Sequence, residues 1–374
     1  MQFEINADMA LSTPPVRRAA YSDRTAWLMA VMSLLAYVPF EAPPTQADLR
    51  EIAGALAGES DVEAILVALN HLVSPGRGES GRAVLETQLG RIGFELVKTF
   101  SISDGLTSDT QAFIAKVCVE ERDGEPAAPM LVLAFRGTQP TRIADIRSDI
   151  DAVMITVPGD DVVPALVHRG FFTAFQSVRE PIDAVLRRYP EMPVYVTGHS
   201  LGGALAVVAT RFIANQSEGA CYTFGAPRCC NEVFADQIFT PIYRVVNASD
   251  GVAAIPFDAS VMRVLTWAVR RIPGGKVIVP HLEKMKDYRH LGDARHLAHA
   301  AVTLDADGRP QFPGMRVRPN PTLLERWKHL RQSWGAPLSD HDIQLYVEKL
   351  AWHARQRLAR RQTLNTNTGS GTDS

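Results

Sequence analysis

Val194-Tyr195-Val196-Thr197-Gly198-His199-Ser200-Leu201-Gly202-Gly203-Ala204-Leu205-Ala206-Val207-Val208-Ala209 runs from apolar, β-favouring residues through a glycine-flanked serine into small, helix-prone ones. Strand, sharp turn and helix in that order is the setting in which G-x-S-x-G becomes a nucleophile elbow. Such a turn strains the serine backbone, and a side chain at Gly198 or Gly202 would collide with the neighbouring strand or helix. Ser200 is therefore the candidate nucleophile, presented at an exposed turn, with Gly198, His199 and Gly202 shaping the elbow.

Outward from the elbow, the chain alternates strands with helices. Met130 to Phe135 is all apolar, as a strand buried on both faces should be. Further strands fit Phe94 to Phe100, Ala112 to Val119, Val153 to Val157, Val194 to Thr197, Cys221 to Phe224 and Ile242 to Val246. Helical patterns lie between them at Thr173 to Arg188 and Leu201 to Asn215. The fold class is α/β, with a mostly parallel central sheet covered by helices on both faces and a more hairpin-like part up to Gly124. Ala26 to Phe40 reads as a buried helix capped by Ser22 or Asp23, too short to span a bilayer comfortably. Gln46 to Leu69 has helical spacing, and Ser74 to Gly78 reads as a loop. Past Ala300 come a hairpin turning at Asp305 to Gly308, helices over Leu323 to Trp334 and Asp342 to Arg361, and a small, polar, disordered tail.

A chain of 374 residues that is 46% hydrophobic can bury one large core. The expected organisation is a single domain over 1–362, with a helical and hairpin N-terminal part at 21–110, an insertion or cap at 258–335, and a disordered tail at 363–374. The net charge of -2 argues against a general nucleic-acid binder. Arg355, Arg357, Arg360 and Arg361 read as a solvated, basic helix end. Cys118, Cys221, Cys229 and Cys230 lack metal-ligand spacing and read as buried or free thiols of a reducing compartment. Met1 to Asp23 lacks the pattern of a secretory leader, which gives a cytoplasmic expectation, with export by a dedicated machine as the other route.

A serine hydroxyl needs a base to take its proton, a carboxylate to hold that base, and donors for the oxyanion. In this arrangement the acid and then the histidine follow the serine, each beyond a later strand. Asp250, after the strand Tyr243 to Val246, is the acid candidate; Asp258 is the runner-up, and Asp236 lies on the wrong side of that strand. Seven histidines follow: His281, His290, His296, His299, His329, His341 and His353. His341 is favoured because Ser339-Asp340 looks like a helix cap and Ile343, Val347, Leu350, Ala351 and Ala354 form an apolar stripe behind it. The oxyanion donors expected are the Leu201 N–H and the backbone and hydroxyl of Thr138.

Several ordered segments resemble the class-3 lipase family of α/β-hydrolases. Arg136-Gly137-Thr138 is similar to its R-G-[ST] motif, and Asp145 to Asp149 to D-W-x-x-D with Ile146 at the tryptophan position. His168 to Phe171 resembles H-x-G-F, Gly198 to Gly203 G-H-S-L-G-G, and Thr223 to Arg228 T-[FY]-G-x-P-R. Val246 to Asp250 resembles V-N-x-x-D, Tyr288 to Gly292 Y-x-H-x-G, and Asp340-His341 with Tyr346 D-H-x-x-x-x-Y. Tyr21 to Tyr37 is similar to the start of bacterial members. Ala253 and Ala254 depart from the proline and polar residue that many relatives carry.

The resemblance implies a cofactor-free hydrolase that cleaves acyl esters of lipids, such as triacylglycerol, through an acyl-enzyme. Alternatives are a phospholipase acting on membrane lipids, an acyltransferase on the same triad, and a non-catalytic binding protein. It further implies a lipid or ester partner, met at a lipid–water interface, and a lid over Gln139 to Ile150. No nucleic-acid partner, metal or transmembrane segment is expected.

Overall fold

The computed structural model describes residues 20–39, 77–103, 109–117, 121–122, 125–126, 129–137, 153–158, 163–248, 250–254, 286–319 and 339–369, with Leu11 and scattered positions over 263–279. The expected helices over Gln46 to Leu69 and Leu323 to Trp334, the lid segment, Thr138, Cys118, Asp258, His281 and His329 lie outside the described residues.

The principal sheet runs in the order β1 (Phe94–Ser103), β2 (Asp109–Val117), β5 (Leu131–Phe135), β8 (Val194–His199), β9 (Cys221–Phe224), β10 (Ile242–Asn247), β11 (Asp293–Leu297), β14 (Val317–Pro319). Its five central strands, β5 to β11 in that order, are mutually parallel. The outer pairs β1–β2, β2–β5 and β11–β14 are antiparallel. Short antiparallel ladders join β3 (Glu121–Arg122) to β4 (Glu125–Pro126), β6 (Met154–Val157) to β7 (Ala165–His168), and β12 (Thr303–Leu304) to β13 (Pro310–Gln311). This is the α/β-hydrolase arrangement, and the C-terminal ends of the parallel strands share one edge, where such sheets place their chemistry.

Every residue of β5 is buried, and the pleat explains why all of them are apolar. Val132 and Ala134 face one core with α1 (Asp23–Leu35) and α6 (Ile343–Gly369). Leu131, Leu133 and Phe135 face the other, with α3 (Arg169–Leu186) and α4 (Leu201–Ile213). α1 is buried all round from Thr25 to Leu35, as its unbroken apolar run dictates. It lies between the sheet and α6, so Trp27 is only 1% exposed. At its outer end Asp23 pairs with Arg357 and, at 3.8 Å, with His353.

Departures from the sequence reading are local. α2 (Arg77–Arg91) begins inside the expected Ser74 to Gly78 loop, and β7, β11 and β14 carry too little regular alternation to be read. α6 continues to Gly369, into the segment read as a tail, because each residue added to a formed helix gains a backbone bond. Cys221, Cys229 and Cys230 are buried, unbridged thiols.

Replacing Trp27 with Ala removes the largest buried side chain of α1. Denaturant unfolding is expected to lose about 3–5 kcal/mol of stability, with Trp27→Phe losing clearly less.

Candidate active site

Ser200 joins β8 to α4 with φ 57° and ψ −129°, one of two described non-glycine residues at positive φ. Its N–H donates to the Phe224 carbonyl at 2.9 Å, and its carbonyl accepts from Gly203 N–H at 3.0 Å. A Cβ on Gly198 would strike the backbone of Gly202, and one on Gly202 would strike the backbone of Phe135 at the end of β5. The strained turn thus exists only because β5, β8 and α4 approach without side chains between them. Ser200 is fully buried rather than set at an exposed turn, because the end of β5 closes against it. A Cβ on Gly137 would sit 3.2 Å from the Ser200 Cβ. The chain leaving Gly137 leads directly to Thr138, and Leu201 opens α4, where helical N–H groups lack intrahelical acceptors.

Asp250 lies just beyond β10, and His341 closes the 3-10 turn Ser339–His341 ahead of α6, rather than standing in the first turn of that helix. The two side chains are almost wholly buried and meet through His341 Nδ1, 2.9 Å from Asp250 Oδ1 and 2.8 Å from Oδ2. Asp250 Oδ1 accepts from Val252 N–H at 2.9 Å, and Oδ2 from the Tyr346 hydroxyl at 2.6 Å. Tyr346 in turn accepts from Asn247 N–H at 3.0 Å. Asn247 Nδ2 donates to the Asp340 carbonyl at 2.8 Å, and its Oδ1 accepts from Lys349 Nζ at 2.6 Å. Burial pushes the Lys349 ammonium down to about 8. The strand end and the histidine turn are thereby tied through both backbone and side chains.

A further link reaches His341 from α1. His199 Nε2 contacts the His341 carbonyl at 2.7 Å, and a carbonyl only accepts, so Nε2 carries the proton. Nδ1 is then the acceptor for the Tyr37 hydroxyl at 2.8 Å. Complete burial, then the neighbouring His341, hold His199 well below the usual imidazole range, so it stays neutral. Sequence reasoning placed His199 in the elbow but gave Tyr37 no task; its only signal was membership of the Tyr21 to Tyr37 resemblance.

The structure therefore brings Asp250 and His341 together at the strand edge that carries Ser200, with Gly198, His199, Gly202 and Leu201 around them. Ser200 Oγ and His341 Nε2 are both buried and have no hydrogen-bond partner among the described residues. The other described histidines are placed differently. His290 precedes β11 at the opposite end of the sheet, His296 Nε2 donates to the Ala248 carbonyl at 2.9 Å, His299 is exposed and His353 faces Asp23. Asp236 ends α5 (Glu232–Asp236), ahead of β10. His168 caps α3, its Nδ1 accepting from Gly170 N–H at 3.1 Å while its ring packs on Phe171.

Gly225 has φ +58°, and a Cβ there would overlap Asp250 Oδ2 and lie 2.9 Å from His341 Nδ1. Gly225→Ala is expected to lower kcat at least about 100-fold by displacing this pair, whereas Tyr346→Phe, which deletes one bond to Asp250, is expected to cost about tenfold. Steady-state kinetics on a soluble ester, with circular dichroism to confirm folding, check both.

The family model described as Lipase (class 3) matches residues 132–260. A lipase of Rhizomucor miehei is 30% identical over 175 residues, covering 43% of this chain and 44% of the relative. A secreted mono- and diacylglycerol lipase of Fusarium solani is 35% identical over 98 residues, covering 24% and 29%. The chain thus spans less than half the length of these curated relatives. Among solved structures, a propeptide complex of the Rhizomucor miehei lipase aligns at 20% identity and TM-score 0.44, over 75% of this chain and 69% of that one. The cytoplasmic expectation is corrected by these relatives: the Fusarium solani protein is named as secreted. The absence of a leader-like pattern in Met1 to Asp23 was too weak a basis for a compartment. The relatives named above are fungal. Residues 132–260 thus match the class-3 lipase family model, and the ordered motifs around them resemble that family.

Proposed function

We propose that this protein is a serine ester hydrolase of lipase type that cleaves acyl esters of lipids through an acyl-enzyme. Ser200 is the nucleophile, His341 the general base and then acid, and Asp250 the carboxylate that orients it. The observation that carries this reading is that Ser200 Oγ and His341 Nε2 are both buried and unpartnered among the described residues, on an imidazole whose other nitrogen is held by Asp250. A buried donor and a buried acceptor left without partners call for an explanation, and a catalytic role supplies one.

The Ser200 hydroxyl gives its proton to His341 Nε2 as Oγ attacks the ester carbonyl carbon. The tetrahedral oxyanion takes hydrogen bonds from Leu201 N–H and from Thr138. The C–O bond to the alcohol breaks, and His341 returns the proton to the leaving oxygen. Water, deprotonated by the same nitrogen, then releases the acid and restores Ser200. Asp250, held by His341, Tyr346 and Val252, favours the imidazolium that forms at each step.

The lipid substrate is supported by the family, with a monoacylglycerol, diacylglycerol or triacylglycerol ester as the class its relatives' names suggest. Meeting that substrate at a lipid–water interface is part of the proposal, as are residues 258–335 as an insertion beside the site and 139–150 as a lid. Among the described residues no helix is long and apolar enough to cross a membrane.

A panel of esters varying in chain length and head group, with Ser200→Ala as control, tests the assignment. Acylglycerols are expected to turn over faster than diacyl phospholipids, and the control to be inactive. His341→Ala is expected to lose kcat by several orders of magnitude, and His290→Ala to stay within roughly tenfold of wild type. Thr138→Val keeps shape and backbone donor and should cost about 10²–10³ in kcat with KM little changed. Near-normal turnover by His341→Ala would remove the proposed base.

A further inference from the structure

The segment after the acid loop has a character that the hydrolytic site does not use. From Ala259 to Leu282 the chain carries Arg263, Arg270, Arg271 and Lys276 and no acidic residue. Arg263, Thr266, Trp267 and Val269 are helical, and Arg270 N–H donates to the Thr266 carbonyl at 3.0 Å. At helical spacing in the sequence, Arg263, Trp267, Arg270 and Arg271 stand at i, i+4, i+7 and i+8, the pattern of one side, and in the structure Arg270 and Arg271 form the turn that follows Val269. All four are exposed, as is the adjoining Ile272, while Thr266 is buried and Val269 half-buried on the inner side.

Trp267 is 59% exposed, a large apolar cost to leave in water, and Ile272 is exposed to the same degree. The indole is held in place: the Arg271 guanidinium lies 3.6 Å from its ring centre and donates to the Trp267 carbonyl at 2.9 Å. A fixed tryptophan, an exposed aliphatic neighbour and three exposed arginines within ten residues match a surface that is apolar just below a layer of negative charge. That is the chemistry of an anionic lipid headgroup region, where indoles settle at the boundary and guanidinium groups pair with phosphates.

We propose that this face, Arg263-Trp267-Arg270-Arg271-Ile272, docks the protein on anionic lipid surfaces. The inference rests on the lipase reading for its purpose, since it would bring a site for lipid esters to the layer that holds them. Its physical basis, the charge and the exposed indole, is independent of the triad. Docking of this kind depends on lipid charge and salt, whereas entry of an ester into the site depends on neither.

The test uses the full chain carrying Ser200→Ala, so that vesicle lipid is not consumed. It is mixed with vesicles of phosphatidylcholine alone or of phosphatidylcholine with phosphatidylglycerol, and partitioning is read by co-sedimentation. Binding is expected to favour the phosphatidylglycerol vesicles, to weaken as salt rises, and to shift tryptophan emission to the blue, a shift lost in Trp267→Phe. Arg270→Gln with Arg271→Gln is expected to lower partitioning by about 30-fold, at about fivefold for each arginine. In the Ser200-containing protein the same two substitutions should leave turnover of a short soluble ester unchanged. Equal binding to both vesicle types, or binding indifferent to the arginine substitutions, overturns the proposal. So does a concentration-dependent dimer abolished by Trp267→Ala, which would put a second copy on this face. Wild-type protein that binds anionic vesicles but cleaves no ester would defeat the hydrolase reading and leave the docking face standing.

Discussion

The buried contact between His341 and Asp250 is the joint on which the remaining architecture bears. It connects the end of β10 to the turn that opens α6, two segments far apart in the chain, and both partners are almost fully withdrawn from water. An imidazole and a carboxylate in such a place need their remaining lone pairs and protons satisfied, or the pair becomes a liability. Tyr346 and Val252 supply bonds to the carboxylate, while Tyr346, Asn247 and Lys349 fasten the turn or helix that carries His341 to β10. The network explains why a tyrosine, an asparagine and a buried lysine recur along one stripe of α6 and one strand end. The tyrosine bonds the aspartate directly, the asparagine bonds the Asp340 carbonyl beside His341, and the lysine satisfies the asparagine.

A second constraint acts from the opposite side. α1 is buried on every side, and its apolar residues fix its position against the sheet without specifying a polar task. At its C-terminal end Tyr37 reaches His199, which reaches the His341 carbonyl. Ser33, a turn earlier, shares a hydrogen bond with Thr197 at 2.9 Å, just before the elbow. The helix thus supports both the strand that presents Ser200 and the turn that presents His341, so packing in the core and geometry at the site are coupled. Loss of core packing at α1 should therefore be felt as a loosening of the site before the whole domain unfolds.

The parallel sheet, the elbow turn and Asp250 and His341 as candidates that the structure places in contact were legible in the sequence because each rests on local pattern. An all-apolar strand, a glycine-flanked serine, an aspartate past a strand and a histidine ahead of an amphipathic helix are all readable within a few residues. What escaped depends on contacts distant in sequence. β11 and β14 are short and polar in part, and their pairing with β10 and with each other, not their composition, makes them strands. Tyr37 looks like any core tyrosine until α1 is laid beside β8. Gly225 has the same property: its motif was visible, but the reason for glycine, the side chains of Asp250 and His341 crowding its α-carbon, appears only once three loops are assembled. The close approach of Gly137, just past β5, to Ser200 likewise joins segments far apart in the chain.

The central claim is that Ser200 is an activated nucleophile because His341 is held where it can take the serine proton. Reaction with a fluorophosphonate, followed by intact-mass and peptide mass spectrometry, reads this directly, since only an activated serine is phosphonylated quickly. The account predicts a single adduct on Ser200 in the folded protein, formed far more slowly in His341→Ala. An adduct on another serine, or equal labelling of Ser200 with and without His341, would contradict it.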